Sequence, residues 1–325
     1  MIRDDQHACV GDDPADLGPI GVIVVNYRSS ALVRTNLVAA MPECARPVLV
    51  DNFSTSAERE SVRALTGASG WELVEMADNP GFGEGVNQGV TRALELGCTS
   101  LLFLNPDAVI GPAVVESLRR ACLEDPAALV APRLVDLDGH VVFAGSTLDL
   151  VDGRTRGLPK VLAHPDPRSR PVVWLTAACL AMHRDLWLRL DGFASDYFMY
   201  WEDVDLNYRA HQLGARIVLR NDLTVVHDQG GTQGPRRGRA KSALYYYYNC
   251  RNRMLFASRH LGRRDLLRWL VRTPKVSGEI LLRGGRRQLL AQPGLAWSAA
   301  RGAAAGGRLA LRSLVLGSSR RTRVR

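Results

Sequence analysis

Apolar and polar positions along the chain fall into short unbroken apolar runs that alternate with segments of helical spacing. Gly21–Val25 is continuously apolar, as a strand buried on both faces should be. Ala31–Met41 follows with helical spacing, Pro47–Val50 reads as the next strand, and Ala57–Leu65 as the next helix. Glu72–Met76 predicts a third strand, and Gly83–Leu96 a helix stopped by Gly97. Ser100–Leu104 is a fourth strand, and Pro112 opens a helix at its favoured first position that runs to Glu124. This alternation predicts an α/β domain with a mostly parallel, doubly wound sheet flanked by helices. Ligands bind such sheets beyond the carboxyl ends of the strands. Asn26, Asp51, Asn79 and Asn105–Asp107 stand at those ends.

The second half is less regular. Gly139–Leu158 reads as hairpin and loop. Val172–Leu175 and Cys179–Met182 read as strands around a small-residue turn, and Arg184–Leu190 as a short helix. Asp203–Leu213 predicts a helix ended by Gly214, and Arg216–Leu219 and Leu223–Val226 two short strands. From Lys241 the pattern turns helical, basic and amphipathic. The expected organisation is a loose leader over 1–19, an α/β domain over 20–240 and a basic helical region over 241–325.

Charge reinforces that division. The net charge is +9, yet residues 236–325 hold 22 Lys and Arg against Asp265 and Glu279 alone, leaving −11 on the preceding residues. A basic tail on an acidic body needs an anionic partner, lipid or nucleic acid being the main candidates. No nucleic-acid recognition module is visible. Six cysteines form no CxxC pair, which fits a reducing cytoplasm. The first residues lack the apolar core of a signal peptide, and no run of about 18 apolar residues predicts a spanning helix. Any membrane contact is therefore expected to be peripheral.

Four stretches carry candidate chemistry. Asp51 could accept a hydrogen bond from a pyrimidine ring, or simply cap the following helix. In the run from Asn79 to Gly89, glycines would let backbone N–H groups approach phosphates at a helix N-terminus. Val86 stands where a dinucleotide fingerprint needs glycine, which argues against an oxidoreductase. Asp107 follows a buried strand, placed to hold Mg²⁺ or Mn²⁺, or to form a Pro-Asp turn. Glu202, Asp203 and Asp205 open a helix beside Tyr197, Phe198, Tyr200 and Trp201. They could complement the helix dipole, and Asp205 could pair with Arg209, but aromatic walls also raise carboxylate pKa values and suit a general base. His227 ends a late strand, as a satisfied polar residue or a metal ligand.

Taken together, VIVVNYRS at 22–29, VDNFSTS at 50–56, NPGFGEGVNQG at 79–89, FLNPDA at 103–108, FMYWEDVDLNYR at 198–209 and VVH at 225–227 resemble the family 2 glycosyltransferases of GT-A fold, near their rhamnosyltransferase-like branch. The resemblance covers residues 20–260. It implies that Asp203 is the general base with Glu202 beside it, and that Asp107 and His227 hold the divalent cation. Asp51 would read the base, while Asn26, Asn79, Gly81, Asn87 and Asn105 shape the nucleotide-sugar pocket. Two departures stand out. Asn105-Pro106-Asp107 replaces the family's Asp-any-Asp, leaving one carboxylate for the metal, and Thr176-Ala177-Ala178 replaces a turn that often contains glycine.

The implied reaction is a single, inverting displacement at the anomeric carbon of a nucleotide-diphosphate sugar. L-rhamnose from dTDP-L-rhamnose is the expected donor, with UDP-galactofuranose and UDP-glucose as alternatives. A polyprenyl-diphosphate-linked sugar or glycan is the expected acceptor, in cell-envelope glycan synthesis. Gly262–Arg272 and Arg308–Leu316 read as interfacial helices on the anionic inner face of the membrane, or as helices packed on the core. A non-catalytic scaffold of the same fold is the rival from another class. A nucleotidyltransferase would need a glycine-rich phosphate loop where Asn26–Ser30 has none.

Overall fold

The structure, a computed structural model, describes residues 18–227 and 240–316. The leader expected over 1–19 therefore lies, all but its last two residues, outside the described part, as do 228–239 and 317–325. In chain order the strands are β1 (Ile20–Asn26), β2 (Ala45–Asp51), β3 (Glu72–Glu75), β4 (Ser100–Leu104), β5 (Ala108–Val109), β6 (Ala128–Val135), β7 (Val141–Phe143), β8 (Ser146–Asp149), β9 (Thr155–Gly157), β10 (Pro171–Trp174), β11 (Cys179–His183) and β12 (Arg216–His227). The helices are α1 (Ser30–Asn36), α2 (Ser56–Ser69), α3 (Phe82–Glu95), α4 (Pro112–Glu124), α5 (Leu158–Ala163), α6 (Arg184–Leu190), α7 (Glu202–Gln212), α8 (Ala243–His260), α9 (Arg263–Leu282), α10 (Arg286–Ala291) and α11 (Gly294–Leu316).

The main sheet runs β3-β2-β1-β4-β11-β6-β12-β5, with β7 on β6, and a second sheet runs β10-β8-β9. Pairings among β1 to β4 and between β6 and β12 are parallel. β11 lies antiparallel between β4 and β6, so the sheet is mixed beyond β4. All seven residues of β1 are buried, and they alternate between faces. Ile20, Val22 and Val24 pack with Val33, Leu65 and Leu118 of α1, α2 and α4. Ile23 and Val25 pack with Val86, Trp187 and Leu206 of α3, α6 and α7. Burial on both faces explains the unbroken apolar run.

Two differences from the sequence reading bear on the site. The short strands expected at Arg216–Leu219 and Leu223–Val226 are one strand, β12, whose register against β6 slips between Arg220 and Thr224. The slip lies opposite Pro132 and Arg133, where proline offers no N–H to the ladder. In addition, β6 and the two-residue β5 are strands with no expected counterpart, and β5 pairs antiparallel with the end of β12.

The C-terminal helices pack onto the body. Met254, Phe256 and Trp269 form one cluster with Leu148, Tyr197 and Trp201. α11 lies on α8 through glycine: a Cβ on Gly302 would come within 2.1 Å of the Tyr247 carbonyl oxygen, and one on Gly306 within 2.8 Å of that of Arg251. Of the two readings of 262–272, packing on the core holds for its largest apolar side chains. Trp269 and Leu266 are buried against the core, and the outward face of α9 is mixed, with Leu267 and Val271 between Arg264, Arg268 and Lys275. No helix of the described residues is long and apolar enough to cross a membrane.

Candidate active site

The strand ends border a cleft of about 830 Å³. Its floor and walls include Asn52, Asn79, Gly81, Asn105, Thr176, Ala177, Glu202, Asp203 and His227, with aromatic side chains from Trp174, Phe198, Tyr200, Tyr245 and Tyr248. Residues far apart in sequence meet here because β12 runs parallel to β6 and then pairs with β5, setting His227 opposite Ala108. Asp107 is thereby brought beside His227, with Oδ1 3.2 Å from Nε2.

That pair offers two donors of the kind a divalent cation takes. Asp107 is buried, and among the described residues its Oδ1 finds no hydrogen-bond partner in spite of the nearby imidazole. His227 Nδ1 is likewise buried with no partner among the described residues, and the Asn105 amide lies 3.4 Å from Nε2. A buried carboxylate oxygen left unpaired is costly unless something positive completes it. Carboxylate and imidazole are both ordinary ligands for such a cation.

Asp203 also lines the cleft, in the first turn of α7. Its carboxylate accepts from the N–H of Val204 at 2.8 Å, and also from the Ala177 N–H and the Thr176 hydroxyl. Burial nevertheless pushes it up to about 6. Glu202, 7% exposed, is pushed well above the carboxylate range by burial and then by the charge of Asp203, and its Oε2 has no partner. Two adjacent carboxyls in a poorly hydrated wall thus separate into a neutral acid and a group that ionises below neutrality.

The turn before α7 is strained. Tyr200 and Trp201 both take left-handed backbone angles, with φ 65° and 78°. Such angles persist in non-glycine residues only where the surroundings enforce them. Asn252 of α8, fully buried, donates to the carbonyls of Met199 and Tyr200 at 2.9 and 2.8 Å. On the other side Phe82 N–H donates to the Phe198 carbonyl at 3.0 Å. Gly81 permits that approach: its φ is 100°, and a Cβ there would lie 2.2 Å from the Phe198 oxygen. Asn207 holds α7 to the turn, exchanging hydrogen bonds with the backbone of Leu175 at 3.0 and 2.9 Å. Asn207 and Asn252 had no expected role. Asn207 falls within the matching stretch at 198–209, and its fixed spacing from Asp203 was the available signal.

Other expected site residues are placed differently. Asp205 points away from the cleft into a buried network with Arg209 (2.7 Å), His260 (2.6 Å) and Tyr197 (3.2 Å). Burial would raise its carboxyl, but the His260 hydrogen bond and the Arg209 charge hold it at about 2. The pairing of Asp205 with Arg209 is as the helix spacing suggested. Asp51 is 1% exposed, with Oδ2 2.7 Å from Arg59 Nε and Oδ1 3.4 Å from the Asn26 amide. Asn26, fully buried, also bonds Glu58 and Ser29. Neither lines the cleft; the neighbouring Asn52, Ser29 and Tyr27 do. Asn87 clamps the backbone N–H and C=O of Phe193 at 2.9 and 3.0 Å, which makes it a structural tie outside the cleft. Asn79 and Asn105 do line the cleft, and Asn79 accepts from Gly81 N–H at 3.0 Å.

No protein-family model matches the chain. It is 24% identical over 269 residues to a low-salt glycan biosynthesis hexosyltransferase of Haloferax volcanii, covering 82% of this chain and 85% of that protein. It is 27% identical over 277 residues to an N-acetylglucosaminyl-diphospho-decaprenol L-rhamnosyltransferase of Mycobacterium tuberculosis, covering 77% and 88%. Among solved structures, a Pyrobaculum calidifontis mannosyltransferase in complex with GDP-mannose and Mn²⁺ superposes with a TM-score of 0.50, at 17% identity, over 93% of this chain and 88% of that one. GalNAc-T7 with UDP, GalNAc and Mn²⁺ also gives 0.50, at 15% identity, over 66% of this chain but 44% of its own length. The architecture is that of the GT-A fold.

Proposed function

Taking as premise that this chain is a glycosyltransferase of GT-A fold, related to the rhamnosyltransferase-like branch of family 2, we propose that it transfers a sugar from a nucleotide-diphosphate donor with inversion at the anomeric carbon. The observation that carries this reading is that one cleft is lined by both Asp203 and His227, with the buried Asp107 beside His227. Asp203 takes the proton from the acceptor hydroxyl as that oxygen attacks. With its carboxyl near 6 it is ionised at neutral pH yet more basic than an exposed aspartate. The Thr176 and Ala177 contacts aim it, and neutral Glu202 beside it adds no second charge. Asp107 and His227 would hold Mg²⁺ or Mn²⁺, which when bound would supply positive charge to offset that developing on the departing diphosphate. Asn79 and Asn105 face the donor.

The Mycobacterium relative, by name an L-rhamnosyltransferase for N-acetylglucosaminyl-diphospho-decaprenol, supports L-rhamnose as donor sugar and a diphospho-prenol-linked sugar as acceptor, and with them a role in cell-envelope glycan synthesis. The Haloferax relative, a hexosyltransferase, keeps UDP-glucose and UDP-galactofuranose as the competing donors. The outward stripe of α11, with Trp297, Arg301, Arg308, Leu311, Arg312 and Val315 exposed and no acid anywhere in the helix, suits peripheral contact with an anionic lipid surface. The test is an assay crossing dTDP-L-rhamnose, UDP-glucose and UDP-galactofuranose with lipid-diphosphate-linked sugars, with Mn²⁺, with Mg²⁺ and with chelator. Metal-dependent turnover of dTDP-L-rhamnose is expected; no transfer from any donor would refute the reading.

A further inference from the structure

A second cavity, of about 430 Å³, adjoins the cleft and shares Thr155 and Arg283 with it. Arg154, Arg156, Lys275 and Arg283 line it, against the single carboxylate of Glu279. Arg154 is already neutralised, donating to Glu279 at 2.7 Å and to Asp152 at 2.8 Å. The other three form no ion pair among the described residues, and Arg156 and Lys275 only share the field of Glu279, whose hydrogen bonds go to Arg154. Arg283 is held only by neutral oxygens, the Tyr245 hydroxyl at 3.3 Å and Thr155 Oγ1 at 3.0 Å. Lys241, 5.4 Å from the Tyr245 ring, has its pKa lowered by burial and then by repulsion from Arg283. Cations gathered with so little compensation form a site for a multiply charged anion.

We propose that this cavity is the acceptor's diphosphate subsite. The acceptor sugar lies in the cleft against Tyr245, Tyr248 and Tyr200, and its prenyl diphosphate rests on Arg156, Lys275 and Arg283. This rests on the transferase reading above. The donor's diphosphate has its own place beside Asp107 and His227, and neither residue borders this cavity. Two diphosphates on one reaction path thus receive two separate sites, one through a metal and one through side-chain cations.

The test is calorimetric titration of the full chain with inorganic pyrophosphate in chelator, which removes the metal-dependent site. Wild type is expected to bind. Arg156→Gln with Lys275→Gln should weaken binding about a hundredfold, about tenfold per charge, while Asp107→Asn leaves it unchanged. Farnesyl diphosphate should displace the pyrophosphate and phosphatidylglycerol vesicles should not. Absent binding, binding indifferent to the double variant, or displacement by vesicles alone would overturn the proposal. A chain that binds pyrophosphate in this way yet transfers no sugar would refute the transferase reading instead, so the two failures are distinct.

Discussion

Asp203→Asn separates what the carboxylate does for the reaction from what its charge costs the fold. Its carboxyl rises from 3.8 to about 6; at about 1.4 kcal/mol per unit, the charged form is disfavoured by roughly 3 kcal/mol. Between pH 4 and 6 or thereabouts the folded chain holds a proton that the unfolded chain has released. Stability should therefore decline as pH rises through that window and level off above it. Asparagine cannot ionise, so the variant lacks the decline. It keeps one oxygen for the Val204 and Ala177 N–H groups but turns an amide toward the Thr176 hydroxyl, so its absolute gain is smaller than the full figure. The pH dependence of the difference survives that loss. Urea unfolding of both proteins at pH 4.5 and 7.5 should show the variant gaining about 1–3 kcal/mol on wild type between the two conditions. Turnover should fall by about 10²-fold or more, and the wild-type rate should rise with pH through about 6. Parallel stability curves for the two proteins, or an active variant, would refute the reasoning.

Asp107→Asn should abolish Mn²⁺ binding measured by calorimetry while leaving the melting temperature within a few degrees, since it removes a charge that has no good partner. Asp205→Asn should do the reverse. It leaves Arg209 and His260 facing a neutral amide and should cost about 3–5 kcal/mol in urea unfolding. Because the Asp205 carboxyl is held at about 2, that network's contribution is present above pH 4 and disappears on acidification toward 2, a window accessible to circular dichroism. Gly81→Ala forces a Cβ against the Phe198 carbonyl and should lower both the melting temperature and kcat, with Mn²⁺ affinity unchanged. Loss of metal binding in that variant would show that the two walls of the cleft are mechanically coupled.

The parts of the fold legible in the sequence were those where burial is symmetrical. β1, β4 and the Val48–Asp51 part of β2 announce themselves because they are buried throughout. β6 was illegible for an equally physical reason: Pro132 and Arg133 interrupt its apolar run, and they are tolerated only because β12 bulges opposite them. β5, two residues long, has no pattern to read, yet it sets Asp107 against His227. At the site, chemistry-bearing residues could be named but not aimed. Asp203 and Asp205 stand two apart on one helix turn, and only packing decides that the first faces the cleft and the second a buried arginine and histidine. The segment holding Trp269 was left open between a lipid surface and the core, because helical periodicity identifies an apolar face without identifying what covers it.

The two hydrogen bonds from Asn252 tie the catalytic turn to a helix that the sequence placed in a separate region. The C-terminal helices therefore do not form an interchangeable module. A chimera that keeps residues 20–240 and borrows its tail from a homologue, in the hope of redirecting it to another acceptor, would inherit a foreign anchor for the Met199–Trp201 backbone. Grafts that retain α8, with Lys275 and Arg283 in place, are the ones expected to preserve turnover.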